Sequence, residues 1–173
     1  MKIIQAMRQI EANKQKLEDL RALIANHCSS LSHETPLYGD KTAEKVAGWA
    51  QACKDIGLEN IKLQMGIWRA NIATKVTIKI GEQDITKSIA EWILRRQEYA
   101  SLDYQTWDKM GDRGLREGEI KSSVPGQEPF KVKIIRYFDP DERDRNKAIF
   151  KEEPSLINGH LEVINAVTDI ITD

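Results

Sequence analysis

Two short stretches, "WRANIAT" and "EVINAVT", each carry an Asn followed three residues later by a Thr: Asn71 with Thr74, and Asn165 with Thr168. Residues three apart share one helical face, so the first pair lies beside Ile67 and Ala70 and the second beside Leu161 and Ile164. Both pairs are expected to be half-buried. There they can satisfy free carbonyls at a helix end, or bond across a helix interface and fix its register as a buried Asn does in coiled coils. Alternatively, the two pairs converge on a ligand or on the symmetry axis of an oligomer. A buried amide without a partner costs about 1–3 kcal/mol, so something must meet it.

The cations offer complementary chemistry. Arg69 follows Trp68, Arg95 and Arg96 follow Trp92, Arg113 and Arg116 stand in a glycine-rich loop from Gly111 to Gly118, and Lys131, Lys133 and Arg136 line a late apolar-alternating stretch. Arginine beside an aromatic ring suits phosphate and base together, by bidentate bonding and stacking. Loop glycines allow an anion to approach the backbone closely. The competing reading is a set of solvated faces paired with equally numerous carboxylates. The candidate ligand-binding set is therefore Arg69, Asn71, Thr74, Arg113, Arg116, Arg136, Asn165 and Thr168.

Catalytic signatures are missing from the sequence: there is no glycine-rich phosphate loop, HExxH, CxxC pair or nucleophile elbow. "NHCSSLSHE" brings His27, Cys28, His33 and Glu34 together, but His27 and Cys28 diverge on a helix and the spacing fits no zinc pattern. His160 is placed as a packing or capping histidine, and Asp108, Asp112, Asp139 and Asp141 as helix-end residues rather than a catalytic dyad. No catalytic residue, metal or cofactor is assigned.

The 173 residues suit a single domain over 1–173, and 40% hydrophobic content can bury a core while 31% charged residues cover long solvated faces. A formal charge of -1 gives no global basic field for nucleic acid or anionic membrane. Cys28 and Cys53 fall at core-type helical positions, which suggests two free thiols in a reducing compartment. The opening "MKIIQAMRQI" turns polar too soon for a signal peptide, and no stretch approaches the roughly 20 apolar residues of a spanning helix. The expected location is cytoplasmic.

The expected fold class is mainly α, a long antiparallel helical hairpin or bundle with two short β-ribbons. Ile3, Ile10, Leu17, Ile24 and Leu31 recur by sevens and predict a helix over about 2–31. Asp40 or Thr42 is available to cap the next helix. Val46, Trp49, Cys53, Ile56, Asn60, Leu63, Ile67, Ala70 and Thr74 step by three and four, predicting a helix over about 41–74 that runs through Gly48, Gly57 and Gly66. The two should fold back on one another. Val76, Ile78 and Ile80 alternate with polar residues in a ribbon over about 75–85. Thr86 caps a third helix over about 86–110, closed by Gly111 and Gly114. A second ribbon over about 118–138 turns at Pro125-Gly126. Asp139 then caps a last helix over about 139–171, with Pro140 in its first turn, a kink or restart at Pro154 and Ser155 as a secondary cap.

In this order the elements resemble the septicolysin-like family, small helical proteins of bacteria, prophages and phages. The resemblance is carried by "MKIIQAMRQIEANKQKLEDLRALIANH", "RANIAT", "DITKSIAEWILRRQEY", "EGEIK" and "INAVTDI". It implies that Asn and Thr close the middle and last helices as family signatures. "DPDERDRNKAIFKEEPSLINGH" is richer in Pro and Gly than bacterial members and looks more like phage relatives. Nothing in the sequence supports the membrane attack that the family's name suggests. The resulting expectation is a non-catalytic oligomeric binding protein, a phage or prophage accessory factor that sequesters an anionic small molecule such as a nucleotide immune signal and so acts against host defence. Its partners would be copies of itself and a small nucleotide, with neither membrane nor sequence-specific nucleic acid, in the host cytoplasm if phage-encoded. The alternative is a structural helical assembly or virion component without a small ligand.

Overall fold

A computed structural model describes residues 1–120 and 128–172. Helices dominate: α1 (Ile3–His27), α2 (Thr42–Ala73), α3 (Ile89–Leu94), α4 (Ala100–Asp108) and α5 (Pro140–Val167). Strands β1 (Lys75–Ile80) and β2 (Gln83–Ser88) form one antiparallel two-stranded ribbon, and β3 (Gly118–Ile120) and β4 (Phe130–Val132) form another. The mainly helical class with minor β structure is as the apolar spacing predicts. No helix among the described residues is long and apolar enough to cross a membrane. Within the span expected as one domain, the described residues group into two compact units, interleaved in sequence. The first holds Met1–Val76, Lys87–Ala90 and His160–Asp173, the second Thr77–Thr86 and Glu91–Gly159.

In the first unit α1 and α2 form an antiparallel hairpin. Asn13 in α1 bonds Asn60 in α2, and His27 further along α1 reaches back to Trp49, earlier in α2. α2 continues through all three of its glycines. Gly66 has a packing reason to be glycine: a Cβ there would lie 3.3 Å from both Ile170 Cδ1 and the Ile171 carbonyl oxygen. Ile3, Ala6, Ile56, Ile67, Ala70 and Leu161 are buried. Asn13 is buried among them, its Nδ2 donating to Asn60 Oδ1 at 2.9 Å while its Oδ1 accepts from Gln9 at 3.1 Å. A satisfied amide pair between helices penalises any slip that would strand it, so the register-fixing role belongs to Asn13 and Asn60.

The second unit is built around Ile78, Ile80, Trp92, Ala100 and Ile157. Between α3 and α4 the helix widens into one π-helical turn, Arg95–Tyr99. That turn carries Arg95 to Glu153 of α5, where Nε and Nη2 donate to the two carboxylate oxygens at 2.5 and 2.8 Å. Asp103 takes the remaining Arg95 nitrogen, and the guanidinium lies 5.4 Å from the Phe150 ring centre.

Several predicted boundaries move, each because a hydrogen bond is used differently. Thr86 stays in β2, its hydroxyl bonded across the ribbon to that of Thr77 at 2.7 Å, so α3 begins at Ile89. Thr42 Oγ1 donates back to the Gly39 carbonyl instead of capping α2. The late ribbon ends at Val132 because the Ile134 N–H donates to Glu117 Oε1; its expected turn at Pro125-Gly126 lies outside the described residues. Asp139 does cap α5, accepting from Asp141 N–H at 2.9 Å. The helix runs on through Pro154 without a restart, so Ser155 starts nothing. Cys28 is exposed at the end of α1 rather than in the core.

Candidate functional site

Five of the eight candidate residues, Arg69, Asn71, Thr74, Asn165 and Thr168, belong to the first unit; Arg113, Arg116 and Arg136 belong to the second.

The two threonines do the same structural work. Each follows the last residue of its helix, and its N–H donates four residues back, Thr74 to Ala70 and Thr168 to Ile164, both at 2.9 Å. Each carbonyl then accepts the first N–H of another helix: Thr74 from Ile89 at 3.0 Å and Thr168 from Ile3 at 2.9 Å. Helix N-termini carry unpaired donors, so the echo in the sequence marks two places where one helix's end caps the start of another. Thr74 adopts the extended conformation that a β-branched residue favours.

The second of these junctions also joins the chain's two ends. Lys2 Nζ donates to the Val167 carbonyl and to Asp169 Oδ2, both at 2.7 Å. The Met1 ammonium stands 3.3 Å from Asp169 Oδ1, and the Ile170 N–H donates to the Met1 carbonyl. A cation thus faces the negative end of α5 and a carboxylate the positive end of α1. The hydrogen bond from Lys2 holds the Asp169 carboxyl below its ordinary value of 3.8. Because the folded pKa is the lower one, this pairing stabilises the fold above pH 3.8 and is lost as pH falls through the folded value. Asp169→Asn should therefore melt at lower temperature than the natural chain at neutral pH, and the gap should close in strong acid. A gap independent of pH would refute this.

The asparagines are another matter. Asn71 is only 9% exposed, Asn165 is half-buried, and the Oδ1 atoms of both are buried without a hydrogen-bond donor among the described residues. Among the described residues neither amide oxygen bonds across a helix interface, and the amide pair that does so is Asn13 with Asn60. On the outer side of α2, Ile61, Lys62, Met65 and Arg69 line a cavity of about 370 Å³ with Thr172 from the tail. Arg69 is engaged in an interaction of its own.

In the second unit, Arg113 and Gly114 both have positive φ, 54° and 75°, inside a turn closed by the Leu115 N–H donating to the Asp112 carbonyl at 2.8 Å. Left-handed backbone suits Gly and strains Arg. Arg113 and Arg116 are exposed and make no hydrogen bond or ion pair among the described residues. Arg136 is held differently: it grips Asp112 bidentately, both bonds 2.7 Å, which lowers the Asp112 carboxyl and raises the guanidinium. A cavity of about 390 Å³ opens here, lined by Met110, Arg113, Ile134, Arg136, Tyr137 and Phe138 among others. Tyr137 is 93% exposed beside it. Arg143 covers Phe138 at 5.4 Å and donates to the Met110 carbonyl.

Two further clusters have structural explanations. His27 packs against Tyr38 and Trp49 with ring centres 5.3 and 5.8 Å away, an aromatic cluster rather than a ligand set. Arg95 is committed to Glu153 and Asp103. Sequence reasoning missed one feature of α2, a second apolar row formed by Leu58, Ile61, Met65, Trp68 and Ile72, all exposed. Its signal was present in the steps of three and four, the same steps that identified the buried row.

No family model, curated protein or solved structure matches the chain.

Proposed function

We propose that this chain is a non-catalytic, self-associating protein that binds and sequesters an anionic small molecule of the nucleotide class. The observation that carries the reading is the matched pair of buried, donorless amide oxygens on Asn71 and Asn165. An unmet oxygen of this kind would cost stability in the free protein, and N–H or O–H donors of a base or ribose are the groups that would satisfy it. On this reading the chain would serve a phage or prophage as an accessory factor that withdraws an immune signal in the host cytoplasm.

Thermal melts with a panel of cyclic and ADP-ribose-like nucleotides test this. A binder of the folded state raises the melting temperature by mass action, and a hundredfold excess over Kd adds about 2.7 kcal/mol. A rise of several degrees is expected with at least one nucleotide, recovered chemically unchanged after denaturation. No rise with any member of the panel would defeat the reading, and a changed nucleotide would make the protein an enzyme. If Arg113→Ala and Arg116→Ala leave the rise intact, the loop arginines are no part of the site.

The second reading, a structural assembly without a small ligand, is favoured by the exposed apolar row on α2. It predicts an oligomer whose melting no nucleotide alters.

A further inference from the structure

We propose that the cavity beside the turn at residues 112–115 is a separate binding site, one that takes a small planar aromatic anion, a single ring bearing a carboxylate or a phosphate. Its volume of about 390 Å³ lies in the range of small-molecule sites. Met110, Ile134 and Phe138 give it apolar walls against which a ring can lie. Three cations, Lys109, Arg113 and Arg136, line it against one carboxylate, Asp112. The lining is therefore net positive, and an anion is the guest it favours.

The charges divide into fixed and free. Arg136 holds both oxygens of Asp112 at 2.7 Å, so the one lining carboxylate is already neutralised. Carboxylates next to the lining are engaged as well: Asp108 by Lys147, Glu117 by the Ile134 N–H, Asp139 by the Asp141 N–H, and Asp144 by Arg143. Lys109 acts on Asp108 only through space. Arg113 is exposed, without a hydrogen bond or ion pair among the described residues, and its planar fork matches two oxygens of a carboxylate or phosphate. It keeps this place despite backbone strain. The two central residues of the turn have positive φ, 54° at Arg113 and 75° at Gly114, where Gly, Asn or Asp would be the relaxed choice. Strain of this kind collects at ligand clamps. Tyr137 supplies the stacking partner: it lines the cavity yet is 93% exposed, so its ring is open to an aromatic guest. The walls are held before any guest arrives. The Asp112 to Arg136 pair ties the turn to the segment after β4, and Arg143 of α5 donates to the Met110 carbonyl at 3.1 Å while covering Phe138. A site fixed in this way loses little freedom on binding.

The inference does not rest on the nucleotide reading, since it uses neither Asn71 nor Asn165. Isothermal titration of the full chain with phenyl phosphate and with benzoate tests it. At least one should bind saturably at millimolar concentration or below, and the tighter of the two identifies the anionic group. Cyclohexanecarboxylate, which has the charge and bulk but no π face, and inorganic phosphate, which has no ring, should each bind at least about tenfold more weakly. Arg113→Ala and Tyr137→Ala should each weaken binding about tenfold or more with unchanged far-UV circular dichroism. Arg113→Lys should restore only part of the loss, because an ammonium lacks the fork. Arg113→Gly should lose binding while melting no lower than the natural chain, because glycine is at ease in left-handed backbone. Asn71→Leu should leave the titration unchanged. No saturable binding of either aromatic anion, equal binding of cyclohexanecarboxylate, or binding indifferent to both Arg113→Ala and Tyr137→Ala would each overturn the inference. A nucleotide response that Asn71→Leu leaves intact removes the other reading alone.

Discussion

Arg95→Ala is expected to destabilise the protein by about 3–5 kcal/mol, because it strands a buried carboxylate without its counter-charge. Glu153 is 2% exposed, and Arg95 supplies both of the hydrogen bonds that the structure gives its oxygens. At roughly 2–4 °C per kcal/mol for a chain of this size, the melting temperature should fall by on the order of 10 °C. Glu153→Gln should cost less, since a neutral amide still accepts from the guanidinium and leaves no unpaired buried anion. The informative variant is the double replacement Arg95→Met with Glu153→Met. Removing both charges and refilling the space with apolar side chains is often neutral or stabilising, so it should melt well above Arg95→Ala. If Arg95→Ala melts within a degree or two of the natural chain, the pair is a surface-type interaction.

That ion pair also shows where sequence reasoning stops. Arg95 and Arg96 were legible as a cationic pair beside Trp92, and an anion ligand was a reasonable use for them. What places Arg95 against Glu153 is a single π-helical turn at Arg95–Tyr99, and one extra residue in a turn leaves no mark on apolar spacing. Glu153 itself looks like any acidic residue of a solvated helix, since its burial depends on packing between segments far apart in sequence. The long stripes are the opposite case. Ile56, Ile67 and Ala70 are buried because helical period and hydrophobicity dictate it locally, and α2 holds through its glycines because packing outweighs about 1 kcal/mol of propensity at each.

Helix ends fall between these extremes. Asp139-Pro140 announced the start of α5 by chemistry contained in two residues. The end of that helix was misplaced, since residues 168–171 pair with Met1 to Ile3 and with Gly66 rather than continuing the helix, and those partners are distant in sequence. The Asn-x-x-Thr echo was legible as a pattern, but its two halves have different uses. The threonine backbone joins helices, and the asparagine Oδ1 has no donor among the described residues.

The unsatisfied amide leads to an opposition between stability and binding. Asn71→Leu replaces a buried donorless oxygen by an apolar group of similar shape. In the free protein it should raise stability by about 1–3 kcal/mol, the cost of leaving such a group unpaired. Asn165→Leu should act in the same direction but less strongly, since Asn165 is more exposed. Natural proteins accept such costs chiefly where function repays them. The same substitution should therefore abolish the nucleotide-induced rise in melting temperature, because the atom that would accept the ligand's hydrogen bond is gone. Thermal melts of the natural chain and Asn71→Leu, each with and without nucleotide, give the four values required. A higher free-state melting temperature together with a lost response is the signature of a binding amide. A lower free-state value would mean that the amide supports the fold, and the assignment of Asn71 to a ligand site would then fall.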